Sequence, residues 1–366
     1  MFGTTEIIEG HTKLIVPSDH SKGGPGKRTD SVFFNEQMAF NRDVSVMFLR
    51  ALDKDVTVAD AMCATGSRAV RIANEVPNAK EVVANDADPK TMDFVTANID
   101  INLLTNCRAS NKDLNVLFSE EAFDYVDIDP FGPPVHFIQA AIKGCRKNGI
   151  LAITATDTAV LAGAQRKKCE RRYQSRPIRG AMCHEMGLRI LMCSIVKELA
   201  KFDRGMEPML SFYADHYFRT YVRVTEGAQN ADKALSKLMY VKYEQGALER
   251  LHSDSPDSEY RYGPFWGGNL HSSSHLNMMD ASFTAEERRC GKMLDLWRNE
   301  LDTVPFIYDI SELSSFLKIS PPPMDDFIAA LNEIGVASRT HISPTSFKTD
   351  LELKDVVTVY RCMPRG

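Results

Sequence analysis

Residues 125 to 134 read Tyr125-Val126-Asp127-Ile128-Asp129-Pro130-Phe131-Gly132-Pro133-Pro134. The short apolar run of Tyr125, Val126 and Ile128 predicts a buried parallel strand, and it stops abruptly at Asp129-Pro130-Phe131-Gly132. In an open α/β sheet, ligands bind outside the carboxyl ends of the strands. A carboxylate, a stiff proline and an aromatic ring therefore arrive together at a ligand-bearing edge. Alkylation of the exocyclic amine of a flat base uses all three. The carboxylate accepts an N–H and draws electron density onto nitrogen, proline fixes a carbonyl for a second N–H, and the ring gives the base a face, worth about 1–3 kcal/mol per base. Asp-Pro is also ordinary turn chemistry, so its surroundings decide between the two.

Upstream, Val56 to Ala59 predicts a parallel strand that runs into Asp60-Ala61-Met62-Cys63-Ala64-Thr65-Gly66-Ser67-Arg68 and a helix from Ser67 to Asn74. Small residues with one glycine at that junction let a ligand approach backbone N–H groups at a helix start. This is not G-x-G-x-x-G, so a dinucleotide fingerprint is weakly supported. A second strand, Glu81 to Asn85, ends in Asp86, twenty residues after Gly66. An acid at that place accepts the two ribose hydroxyls of a nucleoside. A helix from Pro89 to Asn102 leads to Asn111-Lys112-Asp113-Leu114, where Asp113 is placed to accept an adenine amino group and Leu114 to give an apolar contact. Gly66, Asp86, Asp113 and Asp129 thus recur at βα junctions of one sheet, which points to a nucleoside cofactor.

The chain before this is strand and loop. Thr12 to Val16 is a short β run, followed by the breaker Ser21-Lys22-Gly23-Gly24-Pro25-Gly26. Val32-Phe33-Phe34-Asn35 then precedes a helical period through Met38, Val44, Met47, Phe48 and Leu52. Paired phenylalanines before a helix read as a hydrophobic staple, and Arg42, mid-helix, reads by itself as a surface residue.

Downstream come a helix (Val135 to Lys143), a strand (Ile150 to Thr154) and Ala155-Thr156-Asp157-Thr158. From Arg166 to Arg189 there are eight basic residues against two acids, a local charge of 8 − 2 = +6, dense enough to hold phosphates or to form a solvated helix face. A long helix (Arg179 to Phe202) follows. Met209 to Ala214 and Tyr217 to Val224, separated by Asp215-His216, read as a hairpin. Parallel strands closing in an antiparallel hairpin is the usual order of the S-adenosylmethionine methyltransferase sheet. His184 and His216 read as structural hydrogen-bonders.

Ser253 to Gly268 reads as a linker. Beyond it, helices over Thr284 to Leu301, Ile310 to Leu317 and Met324 to Ile334 precede β runs around Ala337 to Ile342 and Val356 to Tyr360. The expected fold is therefore α/β: a Rossmann-like methyltransferase sheet with an antiparallel terminal hairpin over residues 1–265, and a smaller α+β, winged-helix-like domain over residues 266–366. The polar stretch from Arg339 to Thr349 reads either as a phosphate-contacting turn or as an ordinary hairpin loop.

At 366 residues, 43% hydrophobic and 25% charged, with a net charge of −5, the chain has the composition of a soluble globular protein of about two domains. It contains no run of 18 apolar residues, so no membrane span is expected. The eight cysteines form no C-x-x-C pair, which favours reduced packing cysteines in a cytoplasmic protein and gives no sign of a metal site.

Taken together, the chain resembles the tRNA guanine-26 N2-dimethyltransferase family over nearly its whole length. The resemblance is carried by Val32-Phe33-Phe34-Asn35 with Asn41-Arg42-Asp43, Ala64-Thr65-Gly66-Ser67-Arg68, Asp127-Ile128-Asp129-Pro130-Phe131-Gly132 and Thr154-Ala155-Thr156-Asp157. It continues in Cys183-His184-Glu185, Asp215-His216-Tyr217-Phe218-Arg219 and the Arg339 to Thr349 stretch. The resemblance implies S-adenosylmethionine as methyl donor and N2 of a tRNA guanine as acceptor. It implies that Arg42, Arg68, Asp86, Asp113 and Leu114 line the cofactor, that Asp129 is the catalytic carboxylate, and that Phe131 and Phe33 enclose the flipped base. The four-cysteine zinc insert of some relatives is missing, and Gly263 to Leu270 keeps only part of a family Gly-Pro-x-Trp-x-Gly-Pro-Leu pattern. A monomer is expected. The competing expectations are an amino-methyltransferase acting on another nucleic acid or a protein amide, and a tRNA-binding protein with a vestigial pocket.

Overall fold

The backbone N–H and C=O groups of a buried strand need partners, and seven strands find them in one sheet. A computed structural model describes residues 3–23, 32–244, 246, 248–300 and 306–364; Gly24, Pro25 and Gly26 of the expected breaker lie outside them. The chain opens with β1 (Thr4–Glu9), β2 (Thr12–Pro17) and α1 (Ala39–Arg50). It continues through β3 (Val56–Asp60), α2 (Ser67–Glu75), β4 (Ala79–Asn85), α3 (Met92–Ile101), β5 (Cys107–Ser110), α4 (Leu114–Glu120), β6 (Phe123–Ile128), α5 (Ile138–Gly144) and β7 (Cys145–Ala155). Then come α6 (Thr158–Leu161), α7 (Arg166–Tyr173), α8 (Cys183–Ala200), β8 (Arg204–Ala214), β9 (Tyr217–Glu226) and α9 (Ala228–Leu235). The remainder is β10 (Leu238–Lys242), β11 (Leu251–Ser253), β12 (Tyr262–Trp266), α10 (Ser273–Met278), α11 (Glu287–Asn299), β13 (Tyr308–Asp309), α12 (Ile310–Leu317), α13 (Met324–Leu331), β14 (Ala337–Arg339), β15 (Ser346–Thr349) and α14 (Leu353–Cys362).

The large sheet runs β5-β4-β3-β6-β7-β9-β8. Its first five strands are parallel. β8 and β9, joined by two residues, run against each other, which makes the sheet mixed. Val58, Val82, Val83, Val126 and Ile128 are all fully buried, as expected of parallel strands covered on both faces. The chain leaves β3 towards β4 and leaves β6 towards β7, so the order reverses between β3 and β6. That switch point is where an open α/β sheet holds its ligand.

Two compact units emerge. The first holds Met1–Thr154, Tyr221–Glu226 and Ser274–Leu294; the second holds Ala155–Thr220, Gly227–Ser273 and Asp295–Gly366. In the first, Asn98 of α3 acts as an extra strand partner for β2, accepting from Ile15 N–H (2.6 Å) and donating to Ile15 O (3.1 Å). Leu14, Val16, Phe34 and Val70 form a small core beneath the β1–β2 hairpin. Helix α1 is buried from Ala39 to Leu49, polar residues included.

Several expectations for the second unit need correction. Val356 to Tyr360 is not a β run but lies within α14. Its β-branched residues favour strands locally, yet Leu353, Val356, Val357 and Tyr360 also follow the i, i+3, i+4, i+7 spacing of a helix stripe. Val356 and Tyr360 complete a core with Leu313, Phe327, Leu331 and Phe347, and that packing decides the matter. The partner of β14 is β15, inside the stretch read as a polar turn. Thr340, His341, Lys348 and Thr349 are accordingly buried, which removes them as surface phosphate contacts. The expected linker ends in β12, paired with β10, because Phe265 and Trp266 have apolar surface to bury and are fully covered.

Candidate active site at the carboxyl edge of the sheet

Strand β3 ends in a tight loop. Ala64 (φ 48°) and Gly66 (φ 75°) both take left-handed backbone conformations, and Gly66 caps α2. A Cβ on Gly66 would lie 3.2 Å from Val95 Cγ2, so glycine meets both the dihedral demand and the tight space. Asp86, at the tip of β4, accepts Ala64 N–H through Oδ2 and Asp88 N–H through Oδ1, each at 2.9 Å. Burial raises its pKa, and these backbone donors oppose the rise. Each carboxylate oxygen keeps further acceptor capacity.

Asp113 is exposed and caps α4, with Oδ1 taking Asn115 N–H (2.8 Å) and Nδ2 (2.9 Å). Those bonds from Asn115 lower its pKa. Leu114 beside it is buried. Arg42 is no surface residue. Its Nε donates to Glu9 Oε1 (2.6 Å) and its Nη2 to Glu9 Oε2 (2.5 Å) and Asn35 O (3.2 Å), while the guanidinium lies 4.8 Å from the Phe34 ring centre.

At the end of β6, the Asp129 side chain is 17% exposed and bonds to Nη2 of Arg68. Arg68 is otherwise enclosed: Nη1 donates to Asn41 Oδ1 (2.7 Å) and Ser45 Oγ (2.8 Å), and Nε lies 3.8 Å from Asp127 Oδ1. Two residues further, Phe131 is 53% exposed and meets Phe33 edge-on, with ring centroids 4.6 Å apart at 79°. Gly132 (φ 92°) lets the chain turn away. The structure therefore brings Arg68, Asp129, Phe131 and Phe33 together, places Asp86 on the adjoining loop, and sets Asp113 at the start of α4.

Three supports escaped the sequence reading. Asn41 and Ser45 hold Arg68 from α1. Arg71, fully buried, pairs with Asp43 (2.7 Å), Glu75 (2.8 Å) and Glu9 (2.9 Å). Only the Arg71–Glu75 spacing, four apart on one helix, was available as a local signal.

The residues fit S-adenosylmethionine by their donor set. Asp86 offers acceptors for hydroxyls beside the tight Ala64–Gly66 turn, and among the described residues the buried Asn41 Nδ2 has no hydrogen-bond partner. An orphaned buried donor is costly unless a ligand takes it.

Of the eight basic residues between 166 and 189, several are engaged elsewhere. Arg189 is buried on Glu185 (2.9 Å), Arg172 bonds Asp157 (3.2 Å), Arg166 pairs with Glu170 (3.1 Å) and Arg176 lies 4.5 Å from the Tyr262 ring centre. Lys167, Lys168 and Arg171 enter no ion pair among the described residues and line an open pocket with Gln165 and Arg166. Cys169 and Tyr173 anchor α7 from its buried side, and Tyr173 donates to Asp157 (2.7 Å).

A second concentration of charge, inside the second unit, has a different character. Glu300 accepts from His341 Nδ1 (2.5 Å), His341 N–H (3.0 Å) and His271 Nε2 (3.3 Å). These three side chains are spaced as metal ligands could be. Backbone donors argue against that use: Ser211 N–H points at His271 Nδ1 (3.5 Å) and Tyr213 N–H at His341 Nε2 (3.3 Å). That places the ring protons on the nitrogens facing Glu300, and neither ring turns a lone pair inward. Burial pushes the His271 imidazole down to about 4 although Glu300 pulls the other way. Nearby, burial would raise the Glu185 carboxyl, but Lys348 and Arg189 bring it down to about 2.

A seven-stranded sheet in this order, with a carboxylate and two rings at its switch point and acids at the tips of neighbouring strands, defines a class I S-adenosylmethionine-dependent methyltransferase. Residues 10–361 match the family model described as N2,N2-dimethylguanosine tRNA methyltransferase, and the chain belongs to that family. It is 36% identical to the tRNA (guanine(26)-N(2))-dimethyltransferase of Pyrococcus abyssi, over 97% of this chain and 98% of that one. It is 38% identical to the enzyme of the same name from Thermococcus kodakarensis, with the same coverage. The solved complex of Trm1 from Pyrococcus horikoshii with S-adenosyl-L-methionine superimposes with a TM-score of 0.89 at 34% identity, covering 97% of this chain and 99% of that chain.

Proposed function

We propose that this protein transfers methyl groups from S-adenosylmethionine to the exocyclic N2 of guanine at position 26 of tRNA, giving N2-methyl- and N2,N2-dimethylguanosine. The observation that carries the reading is the convergence of Asp129, Phe131 and Phe33 at the switch point of a sheet from this family. Arg42, Arg68, Asp86, Asp113 and Leu114 would hold the cofactor, which when bound supplies an electrophilic sulfonium methyl group.

Asp129 accepts an N–H of the amine and aims the nitrogen. A carboxylate is far too weak a base to strip a neutral arylamine. Asp129 therefore takes the proton only after nitrogen has become cationic. Holding the reacting atoms in line contributes about 7–11 kcal/mol, so positioning outweighs any one contact. Extruding the base costs a few kcal/mol, which stacking on Phe131 and Phe33 offsets once their edge-on contact opens to admit it.

Lys167, Lys168 and Arg171 on α7 are cations available for RNA phosphates. The reading also assigns methyl transfer to residues 1–265 and tRNA binding to a winged-helix-like domain over 266–366. That assignment is supported by the β13-β15-β14 sheet and by the packing of Leu313, Phe327, Leu331, Phe347, Val356 and Tyr360 into one core. It further includes a monomer working in the cytoplasm; among the described residues no helix is long and apolar enough to cross a membrane. The test is mass spectrometry of nucleosides from unmodified tRNA after incubation with protein and cofactor. Methylated guanosine in the fragment containing position 26 is expected, and its absence, or methyl on another nucleoside, overturns the reading.

A further inference from the structure

Asp127, near the end of β6, and Asp129, just past it, both face Arg68 on one side of the strand. Two carboxylates sharing one side repel unless a cation lies between them. Arg68 is that cation, with Nε towards Asp127 and Nη2 on Asp129. Arg68 is 7% exposed and its guanidinium is held from behind, because both Nη1 protons go to α1, at Asn41 Oδ1 and Ser45 Oγ. Ser45 Oγ is itself bonded to Asn41 O and Tyr221 Oη, each at 3.1 Å. Asp127 is steadied in turn by Tyr125 Oη (2.8 Å). The Asp129 carboxylate, at the partly open edge of the sheet, thus rests on a fixed support built from two helices and a strand.

We propose that Arg68, beyond lining the cofactor, is a positioning residue for Asp129. It engages Oδ2 and thereby sets Oδ1 to receive the amine of the base. The inference rests on Asp129 being the group that meets that amine. A planar guanidinium serves here where an ammonium does not, since fixed N–H directions must reach Asn41, Ser45 and Asp129 at once.

The two roles separate kinetically. An anchor for cofactor alone raises its dissociation constant, and saturating cofactor restores kcat. A positioning residue leaves kcat low at saturation. We expect Arg68→Lys and Arg68→Ala to lower kcat roughly 10²-fold with both substrates saturating, the scale of loss from a 1 Å misplacement. Calorimetry with S-adenosylmethionine measures the affinity separately. Wild-type kcat in either variant at saturating cofactor would reduce Arg68 to an anchor. If neither variant folds, Ser45→Ala decides: it loosens the guanidinium from behind while keeping every charge. It should lower kcat severalfold with both substrates saturating, and an unchanged kcat overturns the proposal. Wild-type protein that methylates no guanine would instead refute the proposed function, and an active Asp129→Asn variant would refute the role of Asp129.

Discussion

Two clusters of charge are built from similar residues and differ in what they leave open. In the second unit, Glu185 meets Arg189, Lys348 (3.5 Å) and the N–H groups of Phe306 (3.2 Å) and Ile307 (2.7 Å), while Glu300 meets two histidines. Glu185, Glu300 and Lys348 lie in the interior, each with its partners around it. At the switch point of the sheet, Arg68 is equally well enclosed, but Asp129 is partly exposed and stands beside a ring, Phe131, more than half exposed. The lesson is that a dense charge network marks a site only where an acceptor and an apolar face stay open. The first cluster stabilises a fold; the second is equipped to meet a substrate.

The comparison can be pressed hardest at Glu185. Glu185→Ala strands Arg189 and Lys348 in the interior, and breaking a buried pair costs about 3–5 kcal/mol. The sequence contains two tryptophans, Trp266 and Trp297, both in the second unit and both buried, so urea unfolding followed by tryptophan emission measures the loss. A change below about 1 kcal/mol, the range of surface pairs, would mean the network is ornamental.

Acid probes the same cluster without mutation. His271 falls from an ordinary 6.5 to about 4 on folding, so the unfolded chain binds more protons between those values. Its contribution to stability is present above pH 6.5 and is lost as pH falls towards 4. Glu185 falls from 4.5 to about 2, and its share is present above pH 4.5 and lost as pH falls from there to about 2. The unfolding free energy measured in urea should fall across these windows, and a value unchanged from pH 7 to 3 contradicts the burial described for both groups.

On the open side, Asp86→Ala should weaken S-adenosylmethionine binding by about 1.5–3 kcal/mol, the worth of hydrogen bonds to a charged group. An unchanged calorimetric constant removes Asp86 from the site. The smallest effect is expected on α7. Replacing Lys167, Lys168 and Arg171 with glutamine should reduce the salt slope of tRNA binding by roughly 0.7–0.9 per charge, and an unaltered slope returns α7 to the role of a solvated face.

Much of the switch point was legible because it is local. A strand, an abrupt turn and an acid can be read from period and punctuation, and Asp86, Asp113 and Asp129 all fall at strand ends or helix caps where such signals are strongest. The hairpin at Asp215-His216 was legible for the same reason. The supports of the site were not. Arg42 finds Glu9 thirty-three residues away and Arg68 finds Asp129 sixty-one away, and no periodicity encodes a partner at that distance. α14 misled because β-branched residues and a helical stripe coexist in it, and the core around Phe327 chose the stripe. The Arg339 to Thr349 stretch misled because Lys348 and His341 look solvent-seeking in sequence, while Glu185 and Glu300 wait for them inside.

The most direct measurement is methyl transfer and cofactor binding by Asp129→Ala side by side. Transfer to unmodified tRNA should fall at least 10²–10³-fold, by analogy with loss of a preorganised oxyanion donor, while S-adenosylmethionine titrates with its wild-type affinity. Undiminished transfer, or loss of cofactor binding together with transfer, would contradict the place given to Asp129.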